Sequence, residues 1–262
     1  MAEPKFVIES GMQLLARLTK KPNIENFYPI LFKSGPKNTD VIEISNDADT
    51  SWLLIDMISE ALIPNKVNDS VQVLLIITDG NLNYELFLNV LRSKISNRFS
   101  QSNENIRHIE TIIQETLSKL HLIEIFDANQ FYVTIHNLDN ILMEHSNISL
   151  VIFNSLTAFY WSEQSFKITK MDLYVKNLLQ IIQKFIKEYK ITCVYTRPQY
   201  FISSNTCEGQ SSSYIMVHQY QINLTYHNDD IEMYRVDVKS REGQFTRYFK
   251  ITDGTIKWTV EY

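Results

Sequence analysis

Two cysteines in 262 residues, Cys193 and Cys207, are too few for a disulfide framework. They form no C-x-x-C pair, which fits a reducing compartment, cytosol or nucleus. Glycine and proline are scarce, six of each, and charged residues make up 21%, so neither a low-complexity nor a disordered chain is expected. The longest apolar runs are far short of the ~20 residues that cross a bilayer, and MAEPKFVIES holds no apolar stretch like that of a secretory signal. The six histidines (108, 121, 136, 145, 218, 227) make no H-x-x-x-H and have no cysteine beside them, which argues against a metal site. G-x-S-x-G is absent too, and with it the hydrolase elbow.

What is present is a large apolar fraction, 44%, enough for a sizeable core, and the length suits one large α/β domain or one domain with a small appendage. Net charge is −5, so the whole molecule is no electrostatic trap for nucleic acid. From Lys167 to Arg197, however, seven basic residues stand against two acidic ones. That stretch reads first as a solvated helix face, with DNA or an acidic partner as the alternative.

The middle of the chain alternates strand and helix. VIEIS (41–45), VQVLLIIT (71–78), HLIEIFDA (121–128), ISLVIFN (148–154) and ITCVYT (191–196) read as strands. Segments 51–62, 83–99, 104–120, 131–145 and 168–186 read as helices. Continuous apolar strands between helices predict an α/β fold, a mostly parallel twisted sheet flanked by helices. The last sixty residues predict C-terminal antiparallel strands: a hairpin from 220–226 and 231–238 around His227 to Asp230, then 245–251 and 255–260 around Asp253-Gly254. The Ser-rich 201–214 reads as a loop. ESGMQLLARL (9–18) reads as a short amphipathic helix with Met12, Leu14, Leu15 and Leu18 on its stripe, followed by a polar stretch to Asp40. Residues 1–40 are expected to form a docking helix and linker apart from the core at 41–262, the stripe covering either the domain's own edge or another chain.

Ligands of a parallel sheet sit at the carboxyl ends of its strands. The first such turn, SNDADTS (45–51), lacks the glycines and lysine of G-x-x-x-x-G-K-[ST], whose amides wrap phosphates and whose lysine neutralises them. Thr50 and Ser51 keep the hydroxyl, while Asp47 and Asp49 stand where a polyanion would lie. Each repels phosphate by about 1 kcal/mol at contact, against roughly 0.3–1 kcal/mol of attraction from a helix N-terminus. Asp79 in the second turn reads as a possible water-positioning acid or, preferably, as an Asp-Gly turn. In the third, SLVIFNSLTAFYW (149–161), Asn154 stands where many nucleotide hydrolases carry a metal-binding aspartate. A neutral amide does not offset a cation, and Asn154-Ser155 reads as a strand-end cap. The AFYW run (158–161) suits core or interface, with base stacking as the alternative. Cys193 is expected in the core, and Tyr195 and Trp161, which follow strand ends, are candidates to line the vacated nucleotide pocket.

ESGMQLLARL, LF (31–32), VIEIS…LIDMISEALIP (41–64) and LVIFNSLTAFYW (150–161) together resemble the X-ray repair cross-complementing protein 2 family, eukaryotic paralogues of the RecA-type recombinase. The resemblance covers about the first two-thirds of the chain. It implies a RecA-like core, a nuclear role in homologous-recombination repair of DNA breaks, and a hetero-oligomer with other paralogues, a D-type paralogue first among them. The family's phosphate loop falls on Ser45 to Ser51, its metal aspartate on Asn154, its second acidic position on Asp79, and its DNA-approaching loop on about 199–215, which has no Lys or Arg. The expectation is a pseudo-ATPase with no cofactor, no metal and only indirect or weak contact with DNA, docking through Leu14, Leu15 and Leu18. The alternatives are a weak ATP-binding, DNA-dependent ATPase and a single-stranded DNA-binding module.

Overall fold

The structure is a computed structural model. It describes residues 10–22, 24, 26–33, 35–46, 49–64, 71–80, 82–99, 106–164, 170–198, 219–228 and 233–259.

Nine strands form one sheet. They are β1 (Val41–Asn46), β2 (Gln72–Ile77), β3 (Leu120–Glu124), β4 (Ile148–Asn154), β5 (Thr192–Pro198), β6 (Tyr220–Asn228), β7 (Met233–Ser240), β8 (Gly243–Thr252) and β9 (Thr255–Thr259). Their spatial order is β3-β2-β4-β5-β1-β6-β7-β8-β9. Every pairing from β3 to β6 is parallel, and those from β6 to β9 are antiparallel. The helices are α1 (Gly11–Leu18), α2 (Ser51–Leu62), α3 (Tyr84–Phe99), α4 (Ile106–Leu117), α5 (Ala128–His136), α6 (Leu138–Glu144), α7 (Tyr160–Glu163) and α8 (Met171–Tyr189).

The parallel strands read as unbroken apolar runs because alternate side chains enter different cores. Val73, Leu75 and Ile77 join Ile42 and Ile44 beneath α2 and α3. Leu74 and Ile76 join Val41, Phe153 and Cys193 against α5, α6 and α8. β7 instead alternates, with Tyr234, Val236 and Val238 buried and Arg235 and Lys239 exposed, as a strand covered on one face should. Aromatic contacts cross the antiparallel part: Tyr226–Tyr234 at 4.9 Å, Tyr234–Phe249 stacked at 4.7 Å, Phe249–Trp258 at 5.1 Å and Trp258–Tyr28 at 6.0 Å between centroids. On the other face, Lys250 of β8 lies directly opposite Lys257 of β9.

Several expectations need correction. The polar stretch after α1 does not stand apart from the sheet: Ile24, Phe27, Tyr28, Leu31 and Phe32 are buried in the same core as α2 and β7. Its apolar residues are too sparse for a periodic pattern, yet tertiary burial recruits them. Segment 131–145 is two helices, broken at Asn137, which is the C-cap position of α5 and the N-cap position of α6 and makes no side-chain capping bond to α6. The strand expected over 121–128 stops at Glu124, where Asp127 Oδ1 accepts from Gln130 N at 2.9 Å and starts α5. The C-terminal strand β6 pairs with β7 as expected, but its other edge adds in parallel to β1. It also runs on through His227 to Asn228, and the rest of the turn expected from His227 to Asp230 lies outside the described residues. The 201–214 loop lies outside the described residues.

Candidate functional site

At the corner after β1, Asp47 lies outside the described residues. Asp49 Oδ1 accepts from Ser51 N at 2.9 Å, so its carboxylate caps the first turn of α2. That is the position where the helix dipole favours an anion. Thr50 is buried and makes no side-chain capping bond, although its carbonyl accepts from Leu54 N at 2.9 Å. Ser51 is half-buried. Ser45, at the end of β1, turns the other way and donates to Asn223 Oδ1 at 2.9 Å.

Asn154 and Asp79 come together as the fold requires, because β4 and β2 are neighbours. Asn154 Nδ2 donates to Asp79 Oδ1 at 3.3 Å, and Thr196 Oγ1 donates to Asn154 Oδ1 at 3.2 Å. Beside them Thr78 Oγ1 donates to the Ser155 carbonyl at 2.5 Å and accepts from Ser155 N at 2.6 Å. Ser155 Oγ reaches the Thr196 carbonyl at 3.2 Å. Three strand ends are stitched by neutral donors and one carboxylate. Asn154 is buried while Asp79 is exposed. The amide donor stands against the carboxylate, a position a cation would also favour.

One cluster was missed from the sequence. Glu43, in the middle of β1, accepts from the Tyr195 hydroxyl, from Arg197 Nη2 at 3.1 Å and from Gln221 Nε2 at 3.4 Å. Arg197 Nη1 donates to Asp172 Oδ1 at 2.8 Å at the start of α8. Burial, and then Glu43, push the Tyr195 phenol well above its ordinary value. Burial disfavours the Arg197 cation, but Glu43 and Asp172 outweigh it and raise its pKa. Tyr195 therefore lies inside β5 and does not line a strand-end pocket. A glutamate inside an otherwise apolar strand was the available signal. Cys193 is buried, which pushes its thiol up to about 12. Trp161 is 64% exposed and meets Tyr160 edge-on at 4.9 Å.

Helix α1 carries the third feature. Ser10 and Gln13 form a reciprocal capping box, with Ser10 N donating to Gln13 Oε1 at 2.8 Å and Gln13 N to Ser10 Oγ at 3.1 Å. Gln13 Nε2 also donates to Asp139 Oδ2 at 2.8 Å, while Asp139 Oδ1 accepts from the Tyr189 hydroxyl at 2.5 Å. Ala16 enters the core between α6 and α8. Past the helix, the Lys21 ammonium donates to the Ser146 carbonyl and lies 6.0 Å from the Tyr189 ring centroid. Together these contacts fix the roll of the helix with its polar and small side inward. Met12, Leu14, Leu15 and Leu18 face outward, with Leu15 61% and Leu18 64% exposed.

Among the described residues no group of three or more His, Cys, Asp or Glu is placed to hold a metal, and no helix is long and apolar enough to cross a membrane.

With its parallel core and antiparallel tail the chain has a RecA-like fold: it matches the crystal structure of the RadB recombinase with a TM-score of 0.64 over 90% of this chain and 97% of that one, at 16% identity. No family model matches the sequence. By sequence the chain is a distant homologue of the mouse DNA repair protein XRCC2, 25% identical over 213 residues that cover 78% of this chain and 73% of the relative. The chain is thus similar in sequence to XRCC2 and in fold to the RadB recombinase.

Proposed function

We propose that the chain is a non-catalytic recombinase-paralogue subunit that supports homologous-recombination repair of DNA breaks in the nucleus by assembling with other paralogues, a D-type paralogue among them. The observation that carries the reading is the outward face of α1, where Met12, Leu14, Leu15 and Leu18 are held in the open by a helix anchored through Gln13 and Ala16. Exposed apolar side chains spaced by three (Met12–Leu15, Leu15–Leu18) and by four (Leu14–Leu18) on a fixed helix are what a groove-binding helix presents.

The nucleotide corner supports the non-catalytic part. Asp49 takes the helix N-terminus, and Asn154 is engaged by Asp79 and Thr196. Residues 45–51 carry neither lysine nor glycine. Thermal melting with ATP and Mg2+ tests this part: ligand at ~100 times its dissociation constant adds about 2.7 kcal/mol, and a clear shift overturns it.

The assembly part is tested by co-expression with a D-type paralogue. Leu15→Asp with Leu18→Asp abolishes co-purification while circular dichroism and melting of the isolated chain stay near wild type. Normal co-purification of that double variant overturns the docking role.

A further inference from the structure

Resting on that docking reading, we infer that the partner surface is an apolar groove with a carboxylate-rich rim on another paralogue, neither a second copy of this chain nor a lipid surface. From Ser10 to Pro22 there are three basic residues, Arg17, Lys20 and Lys21, and no acidic one, in a chain of net charge −5. Lys21 is buried, but Lys20 is exposed and Arg17 half-buried. Exposed Lys190 follows Tyr189 at the end of α8, and the Tyr189 ring lies 6.0 Å from Lys21 Nζ. The outward leucines therefore end in a cationic shoulder. On α6, Asp139 is engaged by Gln13 and Tyr189, and the one other carboxylate, exposed Glu144, ends the helix two residues before Ser146.

This charge selects among occupants. A symmetric pairing of two copies through α1 brings the same cations towards one another around the stripe, and like charges at an interface rim are unfavourable. An interfacial membrane helix must sink its apolar face several ångströms into the acyl boundary. Here α1 has only 8 residues and is bolted to α6 and α8 by its polar side. A groove that takes Leu14, Leu15 and Leu18 and meets Lys20 and Lys190 with carboxylates uses every feature present. Because the capping box and the Gln13–Asp139 bond already order the helix, docking incurs little ordering cost.

The test measures binding of the full chain to a D-type paralogue at 0.1 and 0.4 M NaCl, beside anionic phosphatidylserine vesicles and sedimentation of the chain alone. Wild type is expected to weaken by about tenfold at the higher salt. Lys20→Glu with Lys190→Glu lowers low-salt affinity by at least about tenfold and flattens the salt response, and Lys20→Gln with Lys190→Gln falls between. Leu15→Ser with Leu18→Ser weakens binding at both salts and keeps the salt response. If the wild type binds and both lysine variants match it at each salt, the acidic rim is wrong and the docking reading stands. Vesicle binding or self-association that depends on Lys20 and Lys190, with paralogue binding unchanged, also overturns the rim. If the wild type binds no D-type paralogue, the docking reading fails and the rim with it.

Discussion

Arg197 Nη2 and Glu43 Oε1 lie 3.1 Å apart on neighbouring strands, with side chains only 7% and 2% exposed. Removing one partner of a buried pair leaves an uncompensated charge, a loss of about 3–5 kcal/mol, whereas replacing both with neutral groups of similar size often loses far less. Arg197→Ala should therefore lower the urea midpoint sharply, and Arg197→Met combined with Glu43→Gln should recover much of it. A double variant as unstable as the single one would mean that volume, not charge, holds the site.

Asn154→Asp sets a second carboxylate against Asp79 and removes the donor now 3.3 Å away. Like charges so placed raise the pKa of one of them, and a lost buried bond costs about 1–3 kcal/mol. The variant should melt earlier at pH 7, recover as pH falls towards 5, and gain more from millimolar Mg2+ than wild type does. Equal melting with and without Mg2+ would show that no cation replaces the amide.

Burial lowers the Lys21 pKa from 10.5 to about 8. Between those values the unfolded chain holds a proton that the folded chain has released, so stability rises as pH climbs from about 8 towards 10.5. Below about 8 both states are protonated and the full penalty persists. Lys21→Met should raise the melting temperature at pH 7 and reduce the rise between pH 8 and 9.5, as read by thermal melts across that range.

Tyr28 donates to Asp56 Oδ2 at 2.5 Å and accepts from Trp258 Nε1 at 3.3 Å, while Lys94 Nζ holds Asp56 Oδ1 at 2.9 Å. Tyr28→Phe leaves one oxygen of a buried carboxylate and the indole N–H without this partner, at a cost of about 1–3 kcal/mol. Denaturant unfolding should show the loss, and Trp258 emission should shift. Unchanged emission would place the indole N–H outside this network.

Elements with a strong period were legible in the sequence. The unbroken apolar strands β2 and β4 announced burial on both faces, and the stripe of α8 announced its buried side. Asn154 and Asp79 were legible as residues at strand ends, since a parallel sheet gathers its carboxyl ends. What local pattern does not encode was missed. Phe27, Tyr28 and Phe32 lie in a stretch with no period, and only the tertiary fold gives them a core. The roll of α1 was undecidable, because an amphipathic pattern states which face is apolar and not which face is inward. The Gln13–Asp139 bond, spanning 126 residues of sequence, decides it. Arg197 and Glu43 are likewise 154 positions apart, and only the adjacency of β1 and β5 brings them together.

The pairing of Lys250 opposite Lys257 lies at the β9 border of the sheet. Two lysines opposite one another weaken that ladder slightly, with the Lys257 ammonium offset by Asp253 Oδ2 at 3.3 Å, yet lysines at a sheet border also discourage an incoming strand. The molecule thus carries its own deterrent against fibrous stacking through β9.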